Sequence, residues 1–281
     1  MKLVRYGKRG DETPGILDDE GRIRDLSGHV DDIAGCVLEP AGLAKLAKIN
    51  PAKLPLAPEG QRLGAPVAGA GKILCIGLNY KMHASETGAE VPSEPLLFQK
   101  AVSAINGPYD DIVIPRTSTK TDWEVELGVV IGAPAKYVSE EEALSHVAGY
   151  LILNDVSERD FQKNRAGQFT KGKSCDTFCP IGPWLVTADE IADPQNLTLR
   201  TLVNGEVRQN GHSSDMLHPV AKLISYLSQF MSLLPGDIIA SGTPDGVGAG
   251  MKPPQFLKAG DEIVMSIDGL GEQRARLVAD R

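Results

Sequence analysis

Glu124 and Glu126 stand two residues apart in the run "DWEVELGVVIG", residues 122–132. In a strand, successive side chains alternate faces, so the two carboxylates project together, opposite Trp123, Val125 and Leu127. That pattern fits the wet face of a half-buried strand, and it also fits two oxygen ligands for a hard metal ion. Asp155 closes the apolar run "AGYLILND" and is the candidate third ligand, because the rigid end of a strand opens toward solvent. Three carboxylates suit Mg2+, with Mn2+ or Ca2+ as substitutes, since these ions take oxygen ligands and keep waters for a substrate to displace. No cysteine or histidine shares the spacing, which argues against zinc.

The segment "CIGLNYKMHASETG", residues 75–88, runs from a strand into His83 and Glu86. In a helix, the i, i+3 spacing puts them on one face, and a carboxylate beside an imidazole fixes its tautomer and raises its basicity. The bland reading is a solvated helix face. Gly88 and Pro92 flank the segment, as in a mobile lid. In "FTKGKSCDTF", Lys171 and Lys173 lie among small residues, where a lysine can balance an anionic intermediate or simply sit on the surface. The run "SGTPDGVGAG", residues 241–250, lacks the Gly-Lys-Ser/Thr of a phosphate-binding loop and the dinucleotide spacing. It reads as a turn that brings backbone N–H groups and the Thr243 hydroxyl toward a ligand.

Short strands interrupted by a few helices must position these groups. "MKLVRY" reads as a strand and "GILDDEGRIRDL" as a hairpin turning at Asp19-Glu20-Gly21. "EPAGLAKLAKI" reads as a short helix. Residues 50–71 are dense in Pro and Gly and predict a surface linker. From Lys72 the chain is richer in strands: "KILCIG", "DIVIP", "WEVELGVVIG", "AGYLILND", "PGDIIASGTP" and "GDEIVMSI". "SEEEALSHV" opens with a capping box from Ser139 to Glu142, and "VSERDFQKNR" predicts a helical turn. Asn204-Gly205 marks a hairpin. "PVAKLISYLSQFMSLL" places Val220, Leu223, Leu227, Phe230 and Leu234 at helical spacing, which predicts core packing. The expected class is α+β, mainly β, with a small N-terminal domain plus linker over 1–71 and a catalytic domain over 72–281.

With 281 residues, 42% hydrophobic and 23% charged, the composition is that of an ordinary globular protein. No stretch reaches the roughly 18 apolar residues of a membrane span, and the basic N-terminus lacks the apolar core of a secretory signal, so a cytoplasmic protein is expected. A net charge of −8 and the absence of a basic block argue against a nucleic-acid partner. A small anion is compatible if a metal or a lysine supplies local positive charge. Cys36, Cys75, Cys175 and Cys179 show no zinc-site spacing and read as buried or incidental thiols.

Taken in order, the motifs resemble the fumarylacetoacetate hydrolase family. The series is Gly77-Leu78-Asn79-Tyr80, His83, Glu86, then Glu124-x-Glu126, then Asn154-Asp155-Val156-Ser157 with Arg159-Asp160. It continues through Lys171-Gly172-Lys173-Ser174 to Ser241-Gly242-Thr243-Pro244 and Gly246-Val247-Gly248. The resemblance covers residues 72–281, and the small N-terminal unit is similar to that of the longer bacterial members. It implies a mixed β-roll, a homodimer, and a Mg2+ or similar ion held by Glu124, Glu126 and Asp155. It further implies that His83 and Glu86 activate water on a closing loop and that Lys173 stabilises an enolate. By the same resemblance, Tyr80, Arg159, Gln162 and Thr243 line the substrate pocket.

The implied reaction is metal-dependent hydrolysis of a C–C bond in a 2,4-diketo acid, an acylpyruvate or a 2,4-diketo-3-deoxy sugar acid, giving pyruvate and a second acid. Ureidoglycolate lyase and oxaloacetate decarboxylase-type chemistry are the alternatives the same site could serve. A non-catalytic module that binds an ion for structure is the rival from another class, and it has no use for His83, Glu86 or Lys173.

Overall fold

The structure, a computed structural model, describes residues 1–280. The chain is α+β and mostly sheet, built on a ten-stranded sheet and a five-stranded one. At the centre of the larger sheet, strand Val125–Ile131 lies between Val147–Asn154 and Ile238–Ala240, antiparallel to both. Ile238–Ala240 then pairs in parallel with Ile73–Gly77, whose other neighbour is the edge strand Leu96–Lys100. The smaller sheet runs from the hairpin Thr198–Val203 and Glu206–His212 through Glu262–Ile267 and Gly271–Ala279 to Ile112–Ile114. Asn204 and Gly205 make the hairpin turn with φ of 52° and 81°, as Asn-Gly does in a tight turn.

Every residue of Val125–Ile131 is buried, so the strand has no wet face. Such a central strand is covered on both sides, although Glu126 interrupts its apolar run. Its close fit shows at Gly128, where an added Cβ would lie 2.4 Å from Leu151 Cδ1. Glu126, at 2% exposure, is therefore a carboxylate in the core rather than a surface group. It needs partners there.

Most elements fall where the pattern placed them. The Asp11–Leu17 and Ile23–Asp25 hairpin, the helix Pro40–Leu46 and the Ser139 cap on the Glu142 N–H are all present. The helix Val220–Phe230 buries Val220, Leu223 and Leu227, as the spacing predicts. Phe230 and Leu234 depart from that prediction at 59% and 50% exposure, because the backbone turns extended at Met231 and the helical face ends there. Three strands carried no clear signal: Leu96–Lys100, Cys179–Thr187 and Gly271–Ala279. Strand Lys2–Lys8 pairs antiparallel with Cys179–Thr187, so the N-terminal segment extends the same large sheet. Among the described residues, no helix is long and apolar enough to cross a membrane.

Candidate active site

Glu124 sits just ahead of the central strand, Glu126 within it, and Asp155 just beyond its neighbour Val147–Asn154. The register pairs Glu126 with Leu153 and Val125 with Asn154, and the Asp155 N–H donates to Glu124 O at 2.9 Å. This pairing gathers the three carboxylates, one oxygen from each lying within 4.8 Å of the others. All three are buried.

Cations surround them. Lys173, at 1% exposure, donates to Glu124 Oε2 and to Asp155 Oδ2, each at 2.7 Å. Arg159 Nη1 lies 2.7 Å from Glu124 Oε1, and Lys100 Nζ 2.5 Å from Asp155 Oδ1. Among the described residues, Glu126 Oε2 accepts only the Gly242 N–H, at 2.8 Å. Burial works against ionising Glu124, but Lys173 and Arg159 outweigh it and hold the carboxyl below its usual range. Burial works against the Lys173 ammonium in the same way, and Asp155 and Glu124 prevail, so its pKa is raised and it stays charged. Glu126 is the opposite case: burial first, then the Asp155 and Glu124 carboxylates, push it well above the carboxylate range.

The donor set fits a hard divalent ion. Three carboxylates offer oxygen ligands only, each with lone pairs beyond those the ammonium and guanidinium groups engage. A cation among them would also offset the mutual repulsion that raises Glu126.

His83 lies on the short helix Lys81–Thr87, which follows strand Ile73–Gly77 and stops at Gly88, with φ of 68°. The predicted i, i+3 contact forms: His83 Nδ1 and Glu86 Oε1 are 2.8 Å apart. His83, Glu124, Glu126, Arg159, Gln162, Lys173 and Thr243 all open onto one cavity, with Phe98 and Phe169 on its apolar wall. The two rings meet edge to face at 5.5 Å between centroids.

The other residues singled out from the sequence divide. Arg159 and Gln162 share the helix Arg159–Lys163, where Arg159 Nη1 donates to Gln162 Oε1 at 3.1 Å and Nη2 is buried without a partner among the described residues. The Thr243 hydroxyl donates to Val125 O and accepts from Gln209 Nε2, each at 2.8 Å. Tyr80 is 2% exposed and lies outside the cavity wall, and burial pushes its phenol up. Lys171 points away and donates to Arg165 O. Cys75 and Cys179 are buried free thiols, as expected, but Cys36 is exposed. Sequence reasoning missed Lys100 and Asp122, both buried, and Lys163, which also lines the cavity. A lysine ending an apolar strand, as in "LLFQK", was the one available signal for Lys100.

A mostly β framework with an acidic centre able to hold a divalent ion, opening on a cavity beside a His–Glu pair, defines the class of protein. The chain belongs to the fumarylacetoacetate hydrolase family: the fumarylacetoacetate (FAA) hydrolase C-terminal profile matches residues 72–278. It is 59% identical over 274 residues, 97% of each chain, to a protein of Burkholderia multivorans whose name says hydrolase and gives no substrate. Among solved structures it resembles the fumarylacetoacetate hydrolase of Exiguobacterium antarcticum, at 37% identity over all of both chains and a TM-score of 0.88. It is also similar to the maleylpyruvate hydrolase of Sphingobium sp. SYK-6, solved with manganese(II) and pyruvate, at 29% identity over all of both chains and a TM-score of 0.83.

Proposed function

We propose that this protein is a divalent-metal-dependent hydrolase that cleaves a C–C bond of a 2,4-diketo acid, releasing pyruvate and a second acid. One observation carries the reading: His83, paired through Nδ1 with Glu86, opens onto the same cavity as Glu124, Glu126 and Lys173. Glu124, Glu126 and Asp155 would hold the ion, Mg2+ or Mn2+. Bound there, it would supply Lewis acidity and a template that orients the carboxylate and 2-keto oxygen of the substrate.

The chain's own groups account for the proton and charge movements. Glu86 holds His83 through Nδ1, which leaves Nε2 to take a proton from water. The resulting hydroxide attacks the C4 carbonyl. When the C3–C4 bond breaks, its electron pair passes into a pyruvate enolate, and the acyl part leaves as a carboxylic acid. Lys173, a buried ammonium facing the cavity, offsets the charge as it develops. Protonation of the enolate at C3 gives pyruvate. The unpartnered Arg159 Nη2 is a free donor for a substrate oxygen, with Gln162 beside it.

Ureidoglycolate is the rival substrate. It can chelate an ion, but it has no C4 ketone for water to attack and yields no enolate, so His83, Glu86 and Lys173 would be idle. The test is a panel of acylpyruvates and 2,4-diketo-3-deoxy sugar acids, assayed for pyruvate with Mg2+, with Mn2+ and after chelation. Ion-dependent pyruvate release supports the reading. Glyoxylate and urea formed from ureidoglycolate at a comparable kcat/KM overturn it.

A further inference from the structure

The glycine-rich run was expected to turn its backbone N–H groups toward a ligand. Four consecutive ones, at 246–249, instead receive two of the protein's own carboxylates. Gly246 N donates to Glu86 Oε2 at 2.8 Å, and Val247 N makes a longer contact with Glu86 Oε1 at 3.5 Å. Gly248 N donates to Asp122 Oδ1 at 2.7 Å and Ala249 N to Asp122 Oδ2 at 2.9 Å. The glycines are needed for this closeness. A Cβ on Gly248 would lie 2.7 Å from Asp122 Oδ1, and one on Gly250 would lie 2.7 Å from Glu86 Cδ.

Asp122 is fully buried and has a second task. Its Oδ2 accepts from Arg159 Nε at 2.8 Å, and Arg159 reaches on to Glu124 Oε1 and Gln162. One four-residue stretch thus grips the helix carrying His83 through Glu86, and through Asp122 the guanidinium of Arg159, which lines the same cavity. Trp123 ties the two ends together, its indole N–H donating to Gly246 O at 3.1 Å.

We propose that Asp122 is a positioning residue that, through loop 246–249, couples closure of helix Lys81–Thr87 over the cavity to the setting of Arg159. If the helix swings away, Glu86 leaves two N–H groups without an acceptor, and the loop loses half of what defines it. The other half is the cradle that orients Asp122, and Asp122 orients Arg159. Read in reverse, an anion seated on Arg159 steadies Asp122 and the loop, and so favours the conformation that receives Glu86. Such coupling is reciprocal. It spends binding energy on assembling the His83–Glu86 pair only when the cavity is filled. The inference rests on Arg159 being a substrate-binding group, as proposed above.

The test uses the full chain with Mn2+ and oxalate as the probe, and reads amide exchange over 81–92 together with the oxalate Kd. In wild type, oxalate slows exchange of this segment. In Asp122→Asn the slowing is lost, although Asp122 does not touch the helix, while exchange of strand Val147–Asn154 is unchanged. Gly250→Ala crowds Glu86 and touches neither Arg159 nor the cavity. It weakens oxalate binding by about 5-fold or more, at the low end of ordinary coupling energies. Because both substitutions cut one linkage, the double variant is no weaker than the worse single.

Full oxalate-induced protection in Asp122→Asn, an unchanged oxalate Kd in Gly250→Ala, or multiplying effects in the double variant each overturn the proposal. Should Asp122→Asn fail to fold, the Gly250→Ala affinity decides alone. Failure of every diketo acid to release pyruvate would overturn the proposed reaction and leave these measurements of coupling intact.

Discussion

The Lys100 ammonium lies 2.5 Å from Asp155 Oδ1, and neither side chain meets solvent. Lys100 also donates to Val156 O at 3.1 Å, so it pins the backbone beyond the strand as well as the carboxylate. Breaking a buried pair typically costs about 3–5 kcal/mol, because the surviving charge stays in the interior. Lys173 keeps its own bond to Asp155, so Lys100→Met should lose about 3 kcal/mol, at the low end. Urea unfolding measures this, and added Mn2+ should recover part of it. A midpoint equal to wild type would show the pair to be dispensable.

Glu126→Ala should fold and lose stabilisation by divalent ions. An ion that binds only the native state stabilises it by about 2.7 kcal/mol at a hundred times its Kd, which reads as a rise in Tm. Thermal melts of chelated protein with and without Mg2+ or Mn2+ compare the two. No rise in wild type would mean that the carboxylates hold no ion.

His83→Ala should cut kcat by about 10²–10⁴, the ordinary contribution of a general base. The ion-induced rise in Tm should survive, because His83 is not among the three gathered carboxylates. Steady-state kinetics on an active diketo acid and melts of the same preparation separate the roles. If ion binding is lost instead, His83 is a ligand.

Helix Lys81–Thr87 is seven residues long, with Met82 exposed on it and Val91 exposed beyond it. Its hold on the body of the protein runs through few groups, so its amides should exchange readily in free protein and more slowly with oxalate or pyruvate bound. Equal exchange in both states would describe a preformed wall.

Burial pushes the Tyr6 phenol up to about 12, with Asp25 adding to the effect, and pushes Tyr150 up to about 12, with Asp193 adding. An acid whose pKa is raised by folding favours the native state only while it stays protonated. The benefit of each phenol is therefore whole below about 10, the unfolded value, and is lost as pH rises toward 12. Urea midpoints between pH 9 and 12 should fall in wild type and fall less in Tyr6→Phe and Tyr150→Phe. Parallel curves for all three proteins would assign the alkaline loss elsewhere.

The acidic centre was legible because carboxylates interrupt apolar runs, and such interruptions stand out in one dimension. His83 and Glu86 were legible because a helix brings i and i+3 together. The counter-ions were not. Lys100 meets Asp155 across 55 residues, and Arg159 meets Asp122 across 37, so no spacing rule joins them. A lone lysine or aspartate reads as surface until the fold supplies its partner. The glycine-rich run was legible as an N–H-lined turn with Thr243 opening onto the cavity, but the carboxylates received at 246–249 were not, because they are distant in sequence. Leu234 keeps helical spacing past Phe230, the residue where the helix stops. Periodicity does not show an end that lacks a glycine or proline signal.

The central strand Val125–Ile131 has one neighbour close at hand in the chain, Val147–Asn154, and one far away, Ile238–Ala240. On a ribosome adding about 5–20 residues per second, the distant neighbour emerges roughly 5–20 s after the strand itself. Until then Val125–Ile131 carries one bare, hydrogen-bond-hungry edge of β-branched and apolar residues, the kind of edge that recruits other chains. The Gly242 N–H that Glu126 accepts is thus made long after the three carboxylates and the lysine and arginine side chains around them. A nascent chain halted short of Ile238 would leave one edge of this strand unpaired and Glu126 without the Gly242 N–H.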